Sequence, residues 1–333
     1  MTTPASRRDW ILFIVLGFLW GSSYLFIKVG VDAGLPPFTL VALRLLLGFG
    51  LLATVVAVMR VTLPRDPSTY GHLLVMALIN IVVPFSLITW AEQRVDSTIA
   101  STLNGAVPIL VIPIAALVLR NEPLRASRIV GVILGFVGVA IVVGFDPSAA
   151  ASTDLAGALA LLGSTVSYAV GAVYSRRNVH GLRPMIPALL QVGFALVVAS
   201  SLAVVIDRPW ERAIQPGAIL AIVWLGFLGS GIAYLIFFNL LARRGAAGTS
   251  AVAYLLPVFG VLLGATVLHE PVDGRLLGGL GLIVAGIALV NARFQARATG
   301  AAEQARSLAI ATEGPSDRPN AKGQPDSRGA HAN

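Results

Sequence analysis

Ten apolar runs, each close to the length that crosses a lipid bilayer, take up most of this 333-residue chain. They lie near 10–31, 37–59, 72–91, 97–119, 128–145, 155–175, 185–206, 217–240, 246–268 and 275–292. A bilayer core takes about 20 apolar residues per helix. Only 12% of the residues are charged, about half the share of a soluble chain, so too few polar groups exist to cover a water-exposed surface. The sequence therefore predicts an all-α membrane protein and excludes a soluble enzyme. The separators are turn and breaker signals: Pro36-Pro37, Pro64 to Pro67, Asp146-Pro147, Arg183-Pro184, Asp207 to Pro209, Gly245 and Asp273-Gly274. Connections this short make neighbouring helices antiparallel.

The first run holds Lys28 and is followed by no small-residue cleavage pattern, so it is expected to stay as a helix rather than leave as a signal peptide. Beyond about residue 298 the composition turns to Ala, Gly, Pro, Ser and mixed charge, and the tail 298–333 is expected to be disordered. With the N-terminus in the cytoplasm, fourteen loop arginines between Arg7 and Arg297 fall inside, and Arg94, Arg208, Arg212 and Arg275 fall outside. That bias follows the positive-inside rule only with an even number of spans, which puts both termini in the cytoplasm. The net charge of +8 is then a matter of topology, and no nucleic-acid partner is expected. Cysteine is absent and the four histidines are scattered, so neither a metal site nor a cofactor is expected.

Sliding the chain against itself by 148 residues superimposes Trp20 on Tyr168, Lys28 on Arg176, Glu122-Pro123 on Glu270-Pro271, Gly131 on Gly279 and Gly138 on Gly286. With small gaps, Arg44 matches Gln191 and Pro108 matches Pro257. The chain thus reads as a cytoplasmic N-terminus (1–9), a first repeat of five helices (10–145), a linker (146–154), a second repeat of five (155–297) and the cytoplasmic tail. Five is odd, so the second copy starts from the opposite face of the membrane and the two are inverted. Inverted repeats build many alternating-access carriers, with a substrate site near the midplane at their interface.

The segments LGFLWGSSYLFIKVG, PPFTLVALRLLLGFG, TIASTLNGAVPILVIPIAALVLRNEP and GTSAVAYLLPVFGVLLGATVLHEPVDGRLLGGLGLIVAGIALV resemble the EamA family of the drug/metabolite transporter superfamily, over about residues 8–294. The resemblance implies ten helices with both termini inside, a place in the plasma (bacterial inner) membrane, and export or exchange of amino acids, other small metabolites or drugs. It does not name the cargo.

Polar residues inside spans are costly, so they mark the expected cavity. Trp20, Ser23 and Tyr24 share a face of helix 1, Asn80 and Trp90 lie on helix 3, and Asn104 on helix 4. Tyr168, Tyr234 and Tyr254 come from helices 6, 8 and 9. Pro84, Pro108 and Pro257 sit mid-helix and each free a backbone carbonyl. Arg44, about 10 Å inside helix 2 at helical rise, is expected to bond polar groups of another helix, in a structural or gating role shared with Lys28, Arg176 and Gln191; the alternatives are contact with a substrate carboxylate for Arg44 and snorkelling to the interface for Lys28. For each Ser, Thr or Asn, helix-packing glue is the alternative to cargo contact. Glycines of helices 5 and 10 read as close packing, in a scaffold or a dimer face. No Asp or Glu falls in the central part of a span, so no buried carboxylate relay is visible. Proton coupling would fall to Glu92, Glu122 or Glu270 at helix ends, to tyrosines or to His269, or else transport is facilitated or exchange; Glu122 and Glu270 read as ends of one helix and caps of the next.

The reading is a secondary transporter of a small-molecule substrate, embedded in lipid and not an enzyme. The alternatives are a non-transporting membrane subunit, which needs no matched polar stripes, and a membrane enzyme on a lipid carrier, which needs clustered acids.

Overall fold

Several helices begin where the sequence supplies a partner for the free backbone N–H groups or removes one of them. A computed structural model describes residues 6–119, 126–144, 154–179, 182–183, 185–211 and 214–289. Ser6 opens α1 (Arg7–Asp32) with a capping box: its hydroxyl accepts from Asp9 N at 3.1 Å while Asp9 accepts from Ser6 N at 3.1 Å. Proline at the first position starts α2 (Pro37–Val58) and α3 (Pro67–Ala91), and Asp66 caps α3. Next come α4, in two pieces (Ser97–Asn104 and Val107–Leu119), and α5 (Ala126–Val143). Asp154 caps α6 (Leu155–Asn178) by accepting from Gly157 N at 2.8 Å, and α7 is Met185–Asp207. α8 runs from Pro216–Val223 through Trp224–Ile232 into Ala233–Ser250. The turn Ala251–Tyr254 leads into α9 (Leu255–Val267), and α10 is Gly274–Leu289, capped by Asp273.

Among the described residues the chain is all helix, with seven helices long and apolar enough to cross a membrane and three shorter apolar ones. These segments follow the ten apolar runs, with one shift. Gly245 does not end a helix: helical bonding continues to Ser250, because one glycine costs a helix interior only about 1 kcal/mol and does not forbid it. The Asp146-Pro147 separator, Pro184, Glu122 and the tail 298–333 lie outside the described residues.

Side chains such as Val58, Leu117 and Val205 are about three-quarters exposed (77%, 78% and 73%), an outward face that requires lipid. Inside, helices of the first five pack on helices of the second five in matched couples. α1 meets α8 as α3 meets α6; α1 meets α9 as α4 meets α6; α2 meets α8 as α3 meets α7; and α2–α7 and α4–α9 pair directly. Exchanging each helix with the one five places on leaves this set unchanged. Glycines of α5 and α10 repeat the pattern: a Cβ at Gly138 would stand 2.7 Å from the Gly279 carbonyl oxygen, and one at Gly286 2.6 Å from that of Gly131.

Backbones this close leave no room for a side chain. Gly138→Leu is expected to lower the melting temperature of detergent-purified protein, by the equivalent of about 1–3 kcal/mol of overpacking. Gly278→Ala, on the same α10 with nothing within 4 Å of the added carbon, is expected to melt no lower than the parent. Equal effects of the two would remove the close-packing explanation.

Candidate functional site

The helices do not run straight through the interior, and their irregular turns position the site. Pro84 lacks an N–H and its ring crowds the carbonyl four residues back; α3 accommodates it with a wider π-type turn at Leu78–Val82. The same kind of turn occurs in α8 at Trp224–Ile232, the region equivalent to it in the repeat. Pro108 follows the Gly105-Ala106 break of α4, and Pro257 follows the tight turn at the head of α9. The two breaks touch: a Cβ at Gly105 would lie 3.0 Å from Pro257 Cγ.

Carbonyls released by these turns find side chains of other helices. Ser167 donates to Ile79 O at 2.6 Å, and Trp20 Nε1 donates to Gly229 O at 3.3 Å. The Trp20 ring also meets Tyr234 edge-on at 6.1 Å and Phe237 at 5.3 Å. Beside it, Ser23 bonds back to Leu19 O at 3.1 Å.

Arg44 of α2 lies at the centre, 3% exposed. Its Nε donates to Ser230 Oγ at 3.2 Å, and its guanidinium carbon stands 4.2 Å from the Phe85 ring centroid. A buried guanidinium needs such partners, a hydroxyl and an aromatic face, because the bilayer offers it no water. The hydroxyls of Tyr24, Tyr168 and Tyr234 and the carboxyl of Glu92 stand within its electrostatic reach. Gly229 leaves space for it: a Cβ there would lie 3.2 Å from Ser23 Oγ and 3.6 Å from Arg44 Nη2. Trp20, Ser23, Tyr24, Arg44, Tyr168 and Tyr234 thus come together from four helices, two in each half of the chain.

The remaining expected residues stand apart from that centre. Asn104 joins α4 to α6, its Oδ1 accepting from Ser164 Oγ at 2.8 Å and its Nδ2 donating to Ala100 O at 3.2 Å. Asn80 packs over Gly171, where a Cβ would come within 3.1 Å of its Oδ1. Trp90 carries the Arg94 guanidinium over its ring at 3.8 Å. Tyr254 donates to Ile287 O at 2.9 Å, joining α9 to α10. Gln191 is buried on α7, the helix packed on α2, and Arg176 is exposed in the last turn of α6. Lys28 donates to Glu92 O at 3.0 Å and pairs with Asp32 at 3.4 Å, a cation at the C-terminal end of α3 where the helix dipole favours it.

Phe85, Gly229 and Ser230 complete the Arg44 site. Nothing in the sequence marks Phe85 beyond its place after Pro84, and Ser230 is a small hydroxyl between two glycines of an apolar run. Glu270 also acts otherwise than its position suggests. It does not cap the following helix, which Asp273 does through Leu276 N at 2.7 Å. Instead it reaches across to the start of α4, accepting from Ser97 N at 2.8 Å, Thr98 N at 2.8 Å and Ser97 Oγ at 3.0 Å. His269, just before it, holds φ 55° and turns the chain out of α9.

A cavity of about 340 Å³ opens near that junction, lined among others by Arg94, Asp96, Asp154, Asp273 and Arg275. Burial, reinforced by Glu270, raises the pKa of Asp96 above the ordinary carboxyl value.

The EamA-like transporter family matches this chain twice, over residues 9–144 and 155–292. The uncharacterized transporter YvbV of Bacillus subtilis is 30% identical over 301 residues, spanning 88% of this chain and 95% of its own. A probable amino-acid metabolite efflux pump of Salmonella typhimurium is 25% identical over 311 residues, 88% of this chain and 98% of its own. A solved crystal structure superposes with a TM-score of 0.59 at 23% identity, covering 89% of this chain and 99% of the other, and so shares the fold.

Removing the Glu270 carboxylate leaves the α4 N-terminus without its acceptor. Glu270→Ala is expected to cost about 1–2 kcal/mol, the usual worth of a helix cap, read as a lower melting temperature. Gly264→Ala is expected to act in the same direction, since its Cβ would lie 2.6 Å from Glu270 Oε2. Parent-like melting of both variants would mean that this contact holds nothing together.

Proposed function

Because the chain belongs to the EamA-like transporter family of the drug/metabolite transporter superfamily, we propose that it exports a small organic metabolite, an amino acid or a related or drug-like compound, by alternating access. It is a multi-pass membrane protein. In this reading it crosses the bacterial inner membrane ten times, both termini are cytoplasmic, and residues 10–145 and 155–297 are inverted repeats. The double family match, the matched helix couples and the reciprocal glycine contacts support the inverted arrangement. The fourteen-to-four arginine bias supports the orientation.

The observation that carries the reading is the Arg44 site. Its guanidinium and three tyrosines lie between the halves, held by bonds that cross from one half to the other: Arg44 to Ser230 and Trp20 to Gly229. Relative movement of the halves breaks those bonds and frees the donors for cargo, so binding and gating use the same groups. A guanidinium among aromatic rings suits a carboxylate on a compact amphipathic molecule. The printed name of the Salmonella relative, a probable amino-acid metabolite efflux pump, points the same way.

The test is a thermal-shift screen of purified protein against amino acids, nucleosides, organic acids and cationic drugs, followed by counterflow in liposomes. A carboxylate-bearing class is expected to raise the melting temperature; a ligand at 100 times its Kd stabilises by about 2.7 kcal/mol. Arg44→Ala and Tyr168→Phe are expected to reduce both the shift and the counterflow, with the cargo competing against its own unlabelled form. Absence of counterflow for every class in the parent protein would favour a non-transporting membrane subunit.

A further inference from the structure

Glu92 follows the last residue of α3 and is 0% exposed, yet both its carboxyl oxygens lack a hydrogen-bond partner. Lys28, the nearest expected counter-ion, spends its bond on the Glu92 backbone carbonyl and its ion pair on Asp32. An ionised carboxylate withdrawn from water without hydrogen bonds is several kcal/mol out of balance, and such a group takes up a proton instead. The charged groups around it are mixed. Glu270, from the turn between α9 and α10, and Asp32 of α1 oppose its ionisation; Lys28 of α1 and Arg44 of α2 favour it. Tyr24 of α1 also faces it, and Arg94 and Asp96 follow on its own segment. Burial is the largest influence and Glu270 the next, and together they push the carboxyl well above the ordinary range.

Its position connects two regions. Toward the interior it lies within electrostatic reach of Arg44 and Tyr24. In the other direction Val95 and Asp96, three and four residues on, line the 340 Å³ cavity. We infer that Glu92 is a proton-binding site, occupied in this conformation, through which protons from the side of that cavity are coupled to the Arg44 site. Uptake is a simple acid–base step: one carboxylate oxygen takes a proton from water of the cavity and gives it back when the surrounding helices separate and hydrate it. A proton at Glu92 removes a negative charge near Arg44, so its arrival and loss change how strongly the guanidinium holds an anionic group. The coupling rests on the transporter reading above; the proton site does not.

Two measurements need no cargo. Infrared titration of the purified parent protein is expected to show a protonated-carboxyl C=O band at neutral pH that fades as the pH rises; E92Q lacks it and D96N retains it. A band absent from the parent, or persisting in E92Q, overturns the proton site. A group whose pKa is raised in the folded state binds more protons folded than unfolded, so stability falls as pH rises through the folded pKa. The parent's melting temperature is therefore expected to decline from neutral to alkaline pH more steeply than that of E92Q, and equal slopes count against the site.

The third measurement uses liposomes with an imposed pH gradient and a radiolabelled amino-acid mixture. The parent is expected to accumulate label against its gradient and E92Q to lose that accumulation; uphill accumulation by E92Q at the parental level overturns the coupling. If the parent moves no label while the infrared band behaves as expected, the cargo reading fails and the proton site stands.

Discussion

Inside a bilayer a backbone carbonyl that leaves its helix has no water to turn to, so every irregular turn must lie against protein that can satisfy it. In this molecule that constraint decides where the polar chemistry stands. Pro84 forces a wider turn in α3, and Ser167 of α6 takes the carbonyl at Ile79. The wide turn of α8 presents Gly229 O to Trp20 and Ser230 Oγ to Arg44. Each irregularity faces inward, toward a helix of the other half. Trp20, which takes the carbonyl at Gly229, also meets the ring of Tyr234 within reach of Arg44, so the interrupted turn of α8 and the buried guanidinium share neighbouring contacts.

A second set of cross-half contacts works at the helix ends. Asp207, closing α7, accepts from Thr39 N at 2.7 Å and Thr39 Oγ1 at 3.0 Å at the start of α2, as Glu270 does at the start of α4. These charge-assisted bonds act as helix caps supplied from the other half, and they sit where the positive end of a helix dipole meets a carboxylate. Glu270 and Glu92 therefore differ in environment more than in chemistry. The first has three donors at a helix N-terminus, whereas the second is enclosed at a helix C-terminus, where backbone carbonyls rather than N–H groups are free and no donor faces a carboxylate.

Much of this was legible in the sequence. The apolar runs gave most of the helices to within a few residues, because twenty apolar residues in lipid have few alternatives to a helix; the boundary at Gly245 is misplaced by about ten residues, since α8 continues to Ser250 and α9 starts at Leu255. The 148-residue offset picked out Gly131, Gly138, Gly279 and Gly286 as recurring small residues, and the structure packs them crosswise, Gly138 on Gly279 and Gly286 on Gly131. Trp20, Tyr24, Arg44, Tyr168 and Tyr234 stood out as polar or amphipathic groups in spans, and the structure brings those five together. Other features depended on distance across the fold. Local sequence makes Glu270 a neighbour of α10, but its partner is α4, 172 residues away at Thr98. Glu92 reads as a helix-end acid, and helix ends are ordinarily wet; its full burial, with Lys28 of α1 on its carbonyl, arises only in the packed fold. Phe85 carries no signal in a chain so rich in apolar residues, because what matters is its place beneath a guanidinium from another helix.

The two halves are alike in scaffold and unlike in charge, and that difference gives the site its character. The offset pairs Trp20 with Tyr168, Lys28 with Arg176 and Glu92 with Leu240, and a one-residue gap pairs Arg44 with the neutral Gln191. A symmetric copy of Arg44 would place a second cation near the same centre, and a second buried acid would double the desolvation cost. The first half therefore supplies Arg44 and Glu92, while the second supplies Ser230, the Gly229 carbonyl and the carboxylates that hold the helix starts of the first. Symmetry fixes how the helices meet, through glycines and matched couples that work only if both copies keep them. Among the described residues, asymmetry then leaves Arg44 as a buried guanidinium and Glu92 as an enclosed carboxyl within that shared scaffold.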